Sequence, residues 1–192
     1  MEFRNEIYRK LIHIASSAFP LAYLFLLDRI TILWIVGICA ALLVAGELLR
    51  LRFSLFARLF KQLFSAVVRQ KEDHSFTGAT FVFSAAFLTI LLFEKHVAVF
   101  ALLVLSLADS MAALVGKRWG RRPLLDKTVE GTVTFLIVAV LLSFVMPGIP
   151  RQAAFIAALV ATLVELLPSP VNDNLLVPLS AAISISMVNL IA

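Results

Sequence analysis

"VAVFALLVLSLADSMAALVG", residues 97–116, is twenty residues long and holds one ionisable group, Asp109. A hydrocarbon core about 30 Å thick takes roughly 17 to 25 helical residues per crossing, so the run fits a bilayer span. Asp109 comes about seven residues before its end, roughly 10 Å below it at 1.5 Å per residue. A carboxylate at that depth needs a cation, a metal or a watered cavity. A structural pair with a neighbouring helix would meet the need. A functional pocket is the stronger reading, because intramembrane acids face bundle interiors and mark sites. Ala108, Ala112 and Gly116, four residues apart, let another backbone approach closely.

The rest of the chain has the same solvent. Its 192 residues are 61% hydrophobic and 15% charged, with a mean hydropathy of +1.00, far outside the soluble globular range. Cys39 is alone, which excludes a disulfide framework and a cysteine zinc site. The net charge of +5 does not point to nucleic acid. The basic residues stand between membrane-length runs, where an anionic membrane surface or a nucleotide is the nearer partner. "MEFRNEIYRKLIHIASSAF" has the charged tip and apolar body of a signal peptide, but its run continues past Pro20 to Leu27, so it is expected to be a first span.

Seven crossings are expected, at 11–27, 30–48, 78–93, 97–116, 131–147, 152–167 and 174–191. Fourteen of the seventeen Lys and Arg residues fall on one side of this arrangement, leaving Arg29, Lys95 and Arg151 on the other. That asymmetry predicts a cytoplasmic N-terminus and a C-terminus on the opposite side. In "RLRFSLFARLFKQLFSAVVRQKEDHS", residues 50–75, Phe56, Leu59, Phe60, Leu63, Phe64 and Val67 recur at helical spacing against Arg58, Lys61 and Arg69. This reads as an amphipathic helix on the cytoplasmic leaflet. The fold class is therefore an all-α integral membrane protein, with about seven transmembrane helices, one interfacial helix and a single domain over 1–192.

The loop after Asp109 carries Lys117, Arg118, Arg121, Arg122 and Lys127, with Gly116, Gly120 and Pro123. Positive-inside topology alone would explain its charge. The order "DKTVEGT", residues 126–132, adds backbone N–H groups, the hydroxyls of Thr128 and Thr132, and Glu130, which can bind Mg²⁺ or orient a lysine. No Walker-type G-x-x-x-x-G-K-[ST] is present, so a triphosphate held here would not sit on a standard P-loop. Arg9, Lys10 and His13 gather at the mouth of the first span, Arg9 and His13 on one helical face. His13 reads equally as a hydrogen-bonded interfacial residue. Glu47 and Arg50 read as a local ion pair, and Thr77 as a helix cap. In "VELLPSPVNDN", residues 164–174, Glu165, Asn172, Asp173 and Asn174 offer hard oxygen ligands beside the basic loop, although Asp173 could simply cap a helix.

Taken together, "RKLIH", "GELLR", "TGATF", "LADSMAALVGKRWGR", "KTVEGT" and "VELLPSPVNDNLLVPL" resemble, in this order, the CTP-dependent polyprenol, phytol and diacylglycerol kinase family, which includes dolichol kinase. The likeness runs from about residue 9 to about residue 180. It implies a membrane enzyme that moves the γ-phosphate of CTP, with Mg²⁺ or another divalent metal, onto the hydroxyl of a lipid alcohol. CTP as donor comes from this likeness alone. By motif, Asp109, Lys127 and Glu130 would be catalytic. Gly116, Lys117, Gly120, Lys127, Thr128, Gly131 and Asn174 would hold nucleotide, together with Arg9, Lys10 and His13. Asp109, Glu130, Glu165 and Asp173 would be metal ligands. Dolichol kinases are much longer, which leaves the acceptor open. The family is also distantly similar to phosphatidate cytidylyltransferases, which make a CDP-lipid. A small transporter is a third reading, but the polar groups cluster toward one leaflet rather than at the midplane.

Overall fold

A computed structural model describes residues 3–64 and 75–191. Ten helices are present among them: α1 (Phe3–Ala15), α2 (Ala18–Phe25), α3 (Arg29–Arg52), α4 (Ser54–Phe64), α5 (Gly78–Leu92), α6 (Lys95–Leu103), α7 (Asp109–Trp119), α8 (Val129–Val145), α9 (Arg151–Leu166) and α10 (Asp173–Ile191). Helices α6 and α7 join through a π-helical turn, Val104–Ala108. The departure from an all-α chain is a small antiparallel hairpin, β1 (Pro123–Leu124) with β2 (Lys127–Thr128), in which Pro123 faces Thr128 and Leu124 faces Lys127.

Lys95–Trp119 is the central post. Its apolar window is 72% buried, against 22% for Arg29–Arg52 and 28% for Asp173–Ile191, although all three are long and apolar enough to cross a membrane. Every residue from Val97 to Ser106 is buried, as expected of a helix apolar all round and enclosed by neighbours. Helices α1, α2, α5, α8 and α10 pack against this post, and α9 closes the bundle against α8 and α10.

The packing is inverted relative to a soluble protein. Helix α9 buries Ala153, Ala154, Ala157, Ala158 and Ala161, and turns Phe155, Ile156, Leu159 and Leu163 outward. Water would reverse that choice. Lipid does not, because tails solvate large apolar side chains while small residues let helix backbones approach.

The expected first span, 11–27, is two helices. Pro20 has no N–H to close a bond on the Ser16 carbonyl four residues earlier, and the chain turns at Ser16–Ser17. The carbonyl of Ser16 takes the Phe19 N–H at 3.1 Å instead. The other six expected crossings each coincide with a helical stretch, but α5, α8 and α9 have only 15, 17 and 16 residues. The expected amphipathic helix is present as α4, with Phe56, Leu59, Leu63 and Phe64 exposed and Phe60 partly buried, whereas Val67 and Arg69 lie outside the described residues.

At the end of the bundle where α3 begins and α5 finishes, the sparse cations have structural work. Arg29 donates from Nε to the Ile90 carbonyl at 3.2 Å and from its terminal nitrogen to that of Leu91 at 2.6 Å, capping α5. Lys95 Nζ lies 5.3 Å from the centre of the Tyr23 ring. Asp28 caps α3 by accepting the Thr31 N–H at 2.9 Å.

Replacing Ala157 by Leu forces new volume into the α9 crossing. The expected result is destabilisation by about 1–3 kcal/mol, read as a lowered thermal midpoint in detergent, whereas Leu163→Ala on the outer face moves that midpoint little.

Candidate active site

The other end of the bundle holds a cavity of about 730 Å³. Its lining comes from α1, the segment before α5, α7, the hairpin, the start of α8, and the α9–α10 connection. Proline 168 and Pro170 prevent α9 from running on, and α10 begins under an Asn172 cap that accepts the Asn174 N–H at 3.0 Å. Asp173, one candidate for that cap, is thereby left for other work.

Asp109 opens α7, directly after the π turn, and Lys10 of α1 donates a short ion-paired hydrogen bond to it. Their side chains are 13% and 4% exposed, so each charge has the other as its counter-ion in place of water. His13 Nε2 donates to the Leu105 carbonyl at 3.1 Å and stands 4.0 Å from the Asp109 carboxylate. That carbonyl lies within the π turn, where the backbone ladder is locally rewound. His13 thus ties α1 to the turn that sets Asp109 and does not itself line the cavity. Arg9 pairs with Glu6 one turn earlier, and Lys117 Nζ lies 3.8 Å from the same carboxylate. Glu6 was not singled out in the sequence, although its i,i+3 spacing from Arg9 is the signal that marks it.

Lys127 is the second centre. Its Nζ donates to Glu165 at 2.8 Å and to Asp173 at 2.9 Å, joining the hairpin to both sides of the α9–α10 connection. Burial alone would push the Lys127 ammonium down, but the two carboxylates outweigh it and hold its pKa above the usual lysine value. The stabilisation from this pairing is therefore complete below the ordinary lysine pKa and is lost only as pH rises through the higher folded value.

What reads in sequence as a flexible glycine-bearing loop is a tight hairpin. Its two-residue loop, Leu125–Asp126, places Leu125 at φ 52°, the left-handed region that short hairpin loops demand. Thr128 caps α8 through the Gly131 N–H at 3.2 Å. Gly116 and Gly131 meet where α7 crosses α8. A Cβ on Gly116 would come within 2.8 Å of the Thr128 hydroxyl and 3.4 Å of the Gly131 Cα. The close approach implied by the Ala108, Ala112, Gly116 spacing is made here.

The cavity thus gathers Asp109, Lys127, Gly116, Lys117, Thr128, Gly131, Asn174, Arg9, Lys10, Glu165 and Asp173. Gly120, His13 and Glu130 do not line it. Glu130 is directed away, its carboxylate accepting the Arg122 N–H at 3.4 Å. The expected metal set does not converge as a cage. Among the described residues no three His, Cys, Asp or Glu side chains come together: Asp109 pairs with Lys10, Glu165 and Asp173 share Lys127, and Glu130 accepts the Arg122 N–H. A magnesium ion that travels with a triphosphate needs only one or two carboxylates, with phosphate and water supplying the rest. Glu165 fits that demand, since its Oε2 is buried without a hydrogen-bond partner. Arg9 Nε and the Thr132 hydroxyl, also on cavity-lining residues, are buried and unpartnered as well. Three of the five such atoms among the described residues thus belong to side chains around this one cavity.

The family model described as the Cytidylyltransferase family matches residues 5–173. An uncharacterised protein of Rickettsia prowazekii is 30% identical over 95% of this chain and 94% of its own length. The protein named CTP-dependent diacylglycerol kinase 1 in Saccharomyces cerevisiae is 27% identical, aligned over 76% of this chain and 51% of itself. Its Schizosaccharomyces pombe namesake is 25% identical, over 55% and 50%. The chain thus spans about half the length of the yeast kinases it matches. No solved structure matches it.

Lys10→Met leaves Asp109 a buried charge without its ammonium and is expected to cost about 3 kcal/mol of stability. The double variant Lys10→Met with Asp109→Asn removes both charges and should recover most of that loss. Thermal unfolding of the two single variants and the double variant in detergent measures the coupling.

Proposed function

We infer the activity of this chain from a premise that residues 5–173 establish: it belongs to the cytidylyltransferase family. It is a membrane-embedded kinase that transfers the γ-phosphate of CTP to the hydroxyl of a lipid alcohol. Diacylglycerol is the acceptor favoured by the names of the yeast relatives, ahead of a polyprenol or phytol-like alcohol. The observation that carries the reading is the cavity at one end of an apolar bundle, where carboxylates paired with lysines line the same space as Arg9 and Lys117. The acceptor hydroxyl attacks the γ-phosphorus, its proton passes to a cavity carboxylate, and CDP leaves. Asp109 is the central acid of that step, oriented by Lys10. Lys117, Lys127 and Arg9 spread the charge of the phosphates. The N-terminus and this cavity face the cytoplasm, where CTP is found.

Charge supports the need for a divalent metal. The ionisable residues lining the cavity are Arg9, Lys10, Lys117 and Lys127 against Asp109, Asp126, Glu165 and Asp173, and their formal charges cancel. A triphosphate arriving alone would bring negative charge that this lining does not offset. Mg²⁺, held by Glu165 and Asp173, would supply the missing positive charge at the phosphates.

The family description favours a second reading, a cytidylyltransferase in which a lipid phosphate attacks the α-phosphorus of CTP and pyrophosphate leaves. The purified protein incubated with Mg²⁺, lipid alcohols and CTP labelled at either phosphorus separates the two. For the kinase, γ-label enters the lipid and α-label stays in CDP; α-label in the lipid, formed with phosphatidate, establishes the rival. Chelation of the metal should abolish transfer and added Mg²⁺ restore it. Asp109→Asn is expected to lower the thermal midpoint, because Lys10 loses its counter-ion, and at a temperature where it still elutes as folded protein in detergent to lower turnover more than about 100-fold. Near-normal turnover of that variant would refute the role given to Asp109.

A further inference from the structure

One part of the cavity lining lies apart from this charge pattern. Ser75, Phe76, Gly78 and Phe81 line it ahead of and within the first turn of α5, with the Phe76 and Phe81 ring centres 6.4 Å apart. What fixes this wall is a group of buried polar side chains that the sequence presents as a helix-end ion pair and an ordinary cap.

Glu47 and Arg50 are 2% and 7% exposed at the end of α3. Glu47 Oε1 accepts the Thr77 N–H at 2.9 Å, the Thr77 hydroxyl at 2.6 Å and the Thr80 hydroxyl at 3.2 Å. Its Oε2 accepts Arg50 Nε at 2.5 Å. Thr77 therefore does not cap α5 with its own side chain; its hydroxyl is given to Glu47 of another helix instead. Arg50 also donates to the Ser75 carbonyl at 2.5 Å and lays its guanidinium 4.7 Å from the centre of the Phe60 ring. A single arginine thus touches the interfacial helix α4, the last turn of α3 and the cavity wall. Its planar fork carries separate nitrogens to separate partners in fixed directions, whereas a lysine would offer all its donors from a single point. Asn174 completes the seam by donating to the Gly78 carbonyl at 3.2 Å from the side of Asp173.

We propose that Phe76 and Phe81 form the acceptor-lipid subsite, the apolar surface against which the lipid alcohol lies with its hydroxyl turned into the cavity, and that Glu47 and Arg50 are the positioning residues that hold it. The assignment rests on the kinase reading. Phosphates belong with cations, and the cations of the cavity come from α1, α7 and the hairpin. The aromatic wall is instead wired to α4, whose Leu55, Phe56, Leu59, Leu63 and Phe64 are exposed and form an apolar face of the kind that lies in a bilayer surface. The wall is therefore the seam at which lipid and cavity meet.

The test reads the two substrates separately. Phe81→Ala and Phe76→Ala are expected to raise KM for a short-chain diacylglycerol in mixed micelles about tenfold while leaving KM for CTP within about twofold. Phe81→Leu, which keeps apolar surface, should stay within about threefold of the wild type for both. Arg50→Lys is expected to shift KM for the lipid in the same direction as the alanine variants, again sparing CTP. A rise confined to CTP would make the wall a base-stacking surface and overturn the assignment, as would unchanged values for both substrates. A photoreactive diacylglycerol gives a readout without turnover. It should label the wild-type peptide that contains Phe76 and Phe81 and label it poorly in Phe81→Ala. If no lipid is phosphorylated yet this labelling pattern holds, the kinase reading fails and the subsite stands; equal labelling of both proteins sinks the subsite.

Discussion

The ion pair between Lys10 and Asp109 is the constraint on which the site depends. It spans 99 positions of sequence and joins the first helix to the central post at the residue that follows the π turn. Neither charge is tolerable alone in a low-dielectric bundle, so each obliges the helix carrying the other to dock. His13, one turn along α1, bonds the Leu105 carbonyl inside that turn and adds a second point of attachment. Two contacts along one helix fix rotation as well as distance. The orientation of Asp109 is therefore a property of how α1 packs.

The same logic recurs at Lys127, with the partners reversed. There one lysine holds Glu165 and Asp173, which lie on either side of a connection that prolines keep from becoming helical. The hairpin delivers that lysine, and the Gly116–Gly131 contact lets α7 and α8 come close together next to the hairpin that joins them. Small residues and buried charge act together here. The small side chains set the spacing of the helices, and the ion pairs set their register.

Much of this was legible in the sequence, and what was not has physical causes. Apolar runs of membrane length gave the helices, because length and hydropathy are local properties. The cost of a buried carboxylate showed that Asp109 needs a cation, but nothing local says which of the seventeen cations supplies it. Glu47 and Arg50 look like a local pair because i,i+3 spacing is visible, whereas the four additional contacts to Thr77, Thr80 and Ser75 depend on tertiary packing. Leu125 carries no signal for the left-handed backbone it adopts, since glycine or asparagine ordinarily marks that position. The π turn is equally silent, being a matter of how the central post is clamped. Glu130 sits inside a familiar motif, yet helix phase and the Arg122 N–H turn its carboxylate from the cavity.

Helix length accounts for where the cavity lies. At 1.5 Å per residue, α5, α8 and α9 span about 22 to 26 Å, less than a hydrocarbon core of about 30 Å, whereas α3 reaches about 36 Å. The cavity is lined by the first turns of α5 and α8 and by the last turn of α9. Three short helices therefore end at a common recess. In a bilayer such a dent would admit water and charged groups below the level of the surrounding headgroups without exposing backbone to lipid, because the polar ends of the short helices face the recess. A lipid hydroxyl anchored by its chains cannot rise far into water, and a triphosphate cannot descend into hydrocarbon. Under the proposed kinase reading, a recess where short helices end is the geometry in which both could approach the same carboxylates.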